Sequence, residues 1–358
     1  MAHTRSLYRA GMITTALLMT AGTATAADQP TPRQQWHQAA AQQYSALADA
    51  AETLEQSAAD YCANAKNQPS DDARATLEHD WLAAYQRWQA VRYVQFGPVE
   101  QQSRGWQLQF WPDSKNLVGR KVGLALKADT PATLDDVEQA GVALQGFPAL
   151  EYLLYDDAMD DASLANPGAC ALAQNISTHI RQTTQALEDD WQAFGEHFES
   201  TDGYTHTLLQ SAVQSVEQLE EKRLAAPLGL AGTPANSYRA EAWRSGESVA
   251  LMRASLEGLR EGVMPGLTAL LHSRGHPALV DKLEAQLDEV IARANTLPDG
   301  MVRAIEAPTI EGEGPEQKAA FADLQGFYVQ VSQLRRLLAS DVAAATGLRR
   351  GFNSSDGD

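Results

Sequence analysis

The stretch TPRQQWHQAAAQQYSALADAAETLEQSAADYCANA, residues 31–65, carries Trp36, Ala40, Tyr44, Leu47, Ala51, Leu54, Ala58, Tyr61 and Ala65 at steps of four and three. At ~3.6 residues per turn that spacing places all of them on one stripe of a helix. Thr31-Pro32 supplies the start signal, because a proline in the first turn removes an N–H that has no intrahelical partner anyway. A long helix with a narrow apolar stripe must bury it against other helices.

The same pattern recurs outward along the chain. Ser70-Asp71-Asp72 caps a second helix through Leu77, Trp81, Ala84, Trp88 and Val91. Pro167-Gly168 opens a third through Ala173, Ile176, Ile180, Leu187, Trp191, Phe194 and Phe198, and Thr201-Asp202 a fourth through Leu209, Ala212, Val216 and Leu219. In the second half, Tyr238, Ala242, Val249, Met252, Leu256 and Leu259 form one stripe, and Leu279, Leu283, Leu287, Val290, Ala294 and Leu297 another. The last runs from Pro315 to about Thr346 through Ala320, Leu324, Phe327, Val331, Leu334 and Leu338. Alternating strand patterns are almost absent. The expected fold is all-α, two packed antiparallel helical-bundle halves.

The segment GLAGTP, Gly229–Pro234, is the best interior boundary, since it is rich in Gly and Pro between two helical patterns. It divides an N-terminal bundle over 27–229 from a C-terminal bundle over 230–358. Periodicity breaks down over 97–161, an irregular insert of the kind in which functional residues concentrate. The tetrapeptide LQGF occurs at Leu144–Phe147 and at Leu324–Phe327, weak evidence for an ancient duplication, with chance as the alternative.

Arg5 and Arg9 precede an apolar run at Met12–Ala21, and Ala24-Thr25-Ala26 offers a small-x-small cleavage site. This is the pattern of a cleavable secretory signal peptide over 1–26. The run is shorter than the roughly 20 apolar residues that span a bilayer, and no later stretch is long and charge-free enough. No Cys stands near the cleavage site to carry a lipid anchor. Export makes the even pair Cys62 and Cys170 readable as a disulfide, with two buried free thiols as the alternative that spacing leaves open.

The chain has 28 Lys+Arg against 46 Asp+Glu, a net charge of −18. That excludes nucleic acid and anionic membrane surfaces as natural partners, since phosphate contacts need basic clusters. Cations or cationic partners fit better, although the charge also serves solubility alone.

Candidate chemistry is sparse. The histidines lack metal-ligand spacing, and HExxH, Gly-x-Ser-x-Gly, phosphate-binding glycine loops and CxxC are absent. In LQGFPALEYLLYDD (Leu144–Asp157), Pro148 starts a short helix on which Leu150, Leu153 and Leu154 face inward, with Glu151 and Tyr155 sharing the flank. A carboxylate one turn into a helix is favoured in its charged form and could hold a cation or a basic group, or be an ordinary solvated acid. Asp341 falls on the extension of the last stripe beyond Leu338, where an acid is costly unless paired or ligating. Arg335 and Arg336 share its helix, and Arg244 could reach it from a neighbouring one.

FGPVE (Phe96–Glu100), FWPDSKN (Phe110–Asn116), LQGFPALEYLLYDD, AEAWRSGES (Ala240–Ser248) and the terminal GLRRGFNSSDGD, in this order, resemble the imelysin-like family of bacterial periplasmic and surface proteins. The likeness spans Gln34 to Asp358. It implies an all-α fold of two bundle-like halves, a periplasmic location and an association with iron uptake. It also implies the family's historical metallopeptidase label. The family signature Gly-x-His-x-x-Glu aligns with Gly146-Phe147-Pro148-Ala149-Leu150-Glu151, so Pro148 stands where the family has His. Proline offers no ligand atom, and Glu151 alone carries over as a metal-ligand candidate for iron or another divalent metal.

The leading expectation is therefore a non-catalytic periplasmic accessory protein of an iron-related system. Its cleft would lie between the halves at Gly146, Pro148, Glu151 and Tyr155, with Arg244 and Asp341 as neighbours and Trp111–Asp113 as a wall. Its ligand would be a metal ion, a metal chelate or an uptake or redox protein. The alternatives are a metallopeptidase, and a scaffold docking a redox or haem partner without a small ligand.

Overall fold

Helix α1 (Pro32–Ala65) spans the whole of the stripe quoted first, and Trp36, Ala40, Tyr44, Leu47, Ala51, Leu54 and Ala58 on it are fully buried. The computed structural model describes residues 30–65, 71–306 and 315–348, together with Met1. The signal peptide over 1–26, Ser70 of the expected cap, and residues 349–358 of the terminal GLRRGFNSSDGD lie outside the described residues. All regular structure among those described is helical, with no strand.

Helix α2 (Asp71–Val91) lies along α1. The insert then folds into the short helices α3 (Arg104–Leu108), α4 (Leu117–Ala125), α5 (Leu134–Gln139), α6 (Gly146–Tyr155) and α7 (Asp161–Leu164). Helix α8 (Pro167–Ser200), whose first turn contains the predicted proline, covers the other side of α1 and also packs against α3, α5 and α6. Helix α9 (Gly203–Gln218) passes through a π-helical turn, Leu219–Ala225, into α10 (Ala226–Leu228), which Gly229 terminates at φ +75°. Helices α11 (Ser248–Gly262), α12 (Met264–Ser273), α13 (Pro277–Ala294), α14 (Val302–Glu306), α15 (Pro315–Arg336) and α16 (Ala343–Thr346) complete the chain.

Residues from Thr31 onward form one compact unit, and helices from both sides of Gly229–Pro234 share a hydrophobic core. Helix α11 packs on α1 and α2, and α12 on α1. The α2–α11 approach is close because Gly258 has no side chain: a Cβ there would lie 2.0 Å from the Ala90 carbonyl oxygen. Trp36 fixes the α1–α12 corner by donating its indole N–H to Val263 O at 2.7 Å. Among the described residues, no helix is long and apolar enough to cross a membrane.

Two local expectations need correction. The stripe beginning at Tyr238 is not helical at its start: Ser237–Arg239 form a 3₁₀ turn, Ala242 sits at φ +49°, and α11 begins only at Ser248. Pro234 and Gly246 punctuate this segment, and its ordered turns compete with a helix. The two LQGF tetrapeptides adopt different backbones, one entering α6 with Gly146 at φ +73° and the other lying within α15.

Asp341 is not on the apolar seam. Helix α15 runs into a π-helical turn, Leu337–Val342, whose extra residue shifts the register. Leu337, Leu338, Val342 and Ala343 are buried, while the Asp341 side chain is 44% exposed and meets Lys282 Nζ at 2.8 Å. A pair this exposed contributes little. Asp341→Ala is expected to change unfolding free energy by less than ~0.5 kcal/mol in urea titrations, against several kcal/mol for an acid on the seam.

Cys62 of α1 and Cys170 of α8 form a disulfide, with Cα atoms 5.5 Å apart at a sequence separation of 108. It fastens the first turn of α8 to the end of α1. Closing so long a loop removes unfolded-chain entropy, so reduction, or Cys62→Ser with Cys170→Ser, is expected to lower stability by about 4 to 5 kcal/mol. Mass spectrometry of unreduced peptides would display the linked pair directly.

Candidate functional site

The site is built on α6. Gly146 opens this helix because nothing larger fits: a Cβ would lie 2.2 Å from the Leu108 carbonyl oxygen at the end of α3. Pro148 follows in the first turn, where its missing N–H costs no intrahelical bond. Phe147, Leu150, Leu153 and Leu154 are fully buried; Tyr85 stacks on Phe147 at 4.6 Å, and Trp81 donates its indole N–H to Phe147 O.

This packing carries Glu151 into the interior, where it is 3% exposed. Its Oε1 accepts the backbone N–H of Ser245 at 2.9 Å and the Ser245 hydroxyl at 3.1 Å. Burial pushes its carboxyl above the ordinary carboxylate value, although the Ser245 bonds and the Arg244 charge pull the other way. Glu151 is thus the anchor of a turn, Ala242–Gly246, in which Ala242 and Gly246 both have positive φ.

The turn presents Trp243 and Arg244. Arg244 is 8% exposed along its side chain, and its guanidinium carbon lies 4.2 Å from the Trp243 ring centroid and 5.1 Å from that of Tyr152. Nε donates to Asp156 Oδ2 at 2.8 Å and Nη2 to Asn116 Oδ1 at 3.1 Å. Asn116 is held at φ +49° ahead of α4, whose first N–H groups are capped by Asp113: Leu117 N to Oδ1 at 2.7 Å and Val118 N to Oδ2 at 2.8 Å.

Trp111, Asp113, Pro148, Glu151 and Arg244, all singled out in the sequence, line a single cavity of about 610 Å³. Gly146 does not line it. Tyr155 lines a neighbouring cavity of about 810 Å³, which shares Asp156, Tyr238, Trp243 and Arg244 with the first. Asp341 lies in neither, and the partner of Arg244 is Asp156, not Asp341. Sequence reasoning missed Lys115, Asn116, Tyr238 and Arg239, which also line the first cavity. FWPDSKN already contained two of these; Tyr238 was read as helix core.

It also missed Glu241, 1% exposed behind the turn. Its carboxylate receives Arg92 Nη1 at 3.1 Å and Gln89 Nε2 at 3.2 Å, and is contacted by Arg223 and Gln109. Nothing in the spacing of AEAWRSGES separates it from a surface acid.

The donors do not suit a bare metal ion. Among the described residues, no group of three or more His, Cys, Asp or Glu side chains is placed to hold one. Asp113 is committed to backbone N–H groups through both oxygens, Asp156 binds Arg244, and Pro148 has no donor atom. The adjacent guanidinium would repel a cation.

The family model described as Imelysin matches residues 40–336. The chain belongs to the imelysin family. An imelysin-like protein of Psychrobacter arcticum 273-4 superposes with a TM-score of 0.74 at 23% identity, over 90% of this chain and 97% of that one. A protein of Parabacteroides distasonis ATCC 8503, provisionally described as an iron-regulated protein A precursor, superposes with a TM-score of 0.60 at 14% identity. That match covers 87% of this chain and 97% of the other. At such identities the likeness to these solved structures is one of imelysin fold alone. No curated protein matches the chain.

Because Glu151 binds its proton more tightly when folded than its ordinary value of 4.5 allows, the folded state holds more protons than the unfolded one just above that pH. Wild-type stability relative to Glu151→Gln is therefore expected to fall as pH rises from 4.5 towards neutrality, and then to level off. Paired urea titrations at several pH values would show that slope.

Proposed function

We propose that the chain is an exported, non-catalytic binding protein of an iron-related system, holding its ligand in the cavity roofed by Trp243 and Arg244. The observation that carries this reading is the convergence of FWPDSKN, the α6 segment and AEAWRSGES on one cavity of about 610 Å³. Pockets of this size, with a few convergent polar groups on aromatic walls, suit small ligands. Membership of the imelysin family supports it, as does the iron-regulated description of a structural neighbour. The leader-like residues 1–26 and the Cys62–Cys170 disulfide support an oxidising, periplasmic setting.

The roles divide by chemistry. Glu151 and Asp113 position the walls through backbone N–H groups; Trp111 and Trp243 supply apolar surface; Arg244 supplies charge. The metallopeptidase reading needs a metal or a base beside a nucleophile, and the acids here are committed to internal bonds.

Protein purified from the periplasm without a metal-affinity tag is expected to carry substoichiometric metal and to show no chelator-sensitive cleavage of peptides. Growth in iron-limited medium should require the chain and should fail with Glu151→Ala exported at normal levels. Stoichiometric metal lost in Glu151→Ala would overturn the assignment of Glu151 as an anchor. Unimpaired iron-limited growth without the protein would overturn the iron role.

A further inference from the structure

We infer that the cavity under Trp243 and Arg244 takes a small polycarboxylate anion, free or wrapped around a ferric ion, and not a bare cation. The inference rests on the binding-protein reading above and deepens it by naming the ligand class.

The chain as a whole carries a net charge of −18, yet Lys115, Arg239 and Arg244 meet on this one cavity. Each of the acids that line it already accepts a hydrogen bond. Asp113 caps α4 with both oxygens, and Glu151 holds Ser245. Asp156 accepts from Arg244 at one oxygen and from the Ala158 backbone N–H at the other, at 3.2 Å. A cation entering here finds each carboxylate already engaged by N–H donors, with three positive side chains beside them.

Arg244 decides the ligand's shape. Two rings hold the guanidinium flat, and Asp156 and Asn116 fix its rotation through Nε and Nη2. A guanidinium carries more N–H donors than those two bonds use. A desolvated, pre-oriented fork of this kind matches the paired oxygens of a carboxylate. It matches phosphate as well, but phosphate sites commonly add free N–H groups at a helix start. Here Asp113 occupies those of α4, so the cavity offers side-chain cations alone. Lys115 and Arg239 are exposed at the rim, where they steer an anion inward and meet further carboxylates. Tyr238 and Trp243, edge to face at 4.8 Å, give the ligand an apolar wall.

Calorimetric titration of the full chain with citrate, ferric citrate, inorganic phosphate and iron(II) sulfate tests this. Citrate or ferric citrate should saturate at one per chain, whichever source is natural giving the tighter binding, with phosphate far weaker and iron(II) alone silent. Arg244→Lys keeps the charge but loses the fork, and should weaken binding about tenfold or more. Should that variant misfold, Lys115→Glu and Arg239→Glu, both on the surface, should each weaken binding several-fold and flatten its salt dependence. Binding of iron(II) alone, or of phosphate as tightly as citrate, would overturn the ligand class. So would wild-type affinity in both rim variants. If no anion binds while iron-limited growth still needs the chain, this inference falls and the binding-protein reading stands. If growth is also indifferent, both fall.

Discussion

A carboxylate with almost no access to solvent, Glu241, is the constraint on which the site depends. Leaving such a charge unpaired inside a protein costs several kcal/mol, so its partners must hold station. They come from separate parts of the chain: Gln89 and Arg92 from α2, Gln109 from the end of α3, and Arg223 from the π-helical turn after α9. Gln109 stands two residues before Trp111, and Glu241 three before Arg244. One buried acid therefore fixes both walls of the cavity to the helical core. The network continues through Ser255 of α11, which accepts from Arg223 and donates to Gln89.

Glu151 does on the front of the turn what Glu241 does behind it. Together they clamp Ala242–Gly246, a segment whose positive-φ residues would be unfavourable in a free chain. Tyr85 lies within the influence of both acids, and burial first, then Glu241 and Glu151, push its phenol well above its ordinary range. A turn held from both sides presents Arg244 in one orientation. Recognition then needs little further ordering when a ligand arrives.

Long helices were legible because burial imposes a period. The α1 stripe, the proline starts of α1, α8 and α15, and the all-α class follow from residue spacing alone. The register of Asp341 was not, since a π-helical turn inserts one residue and no composition marks it. The start of α11 misled for a related reason: Tyr238 and Ala242 keep the helical interval while lying in turns. Of the site, the irregular insert and AEAWRSGES stood out by their aromatics and charges, but pairings across the chain did not. Arg244 meeting Asp156 instead of Asp341, and Glu241 being buried at all, are consequences of tertiary packing.

The acids that line the cavity thus differ from what their residue type suggests. An Asp or Glu beside a cavity invites a cation only if its oxygens remain available. Glu151, Asp113 and Asp156 instead accept from Ser245, from the start of α4 and from Arg244. The acids build the frame, and the exposed chemistry of the cavity is left to Lys115, Arg239, Arg244 and the aromatic rings. In a strongly acidic protein, a cavity in which three cationic side chains balance three engaged acids is what separates a selective site from the surface around it.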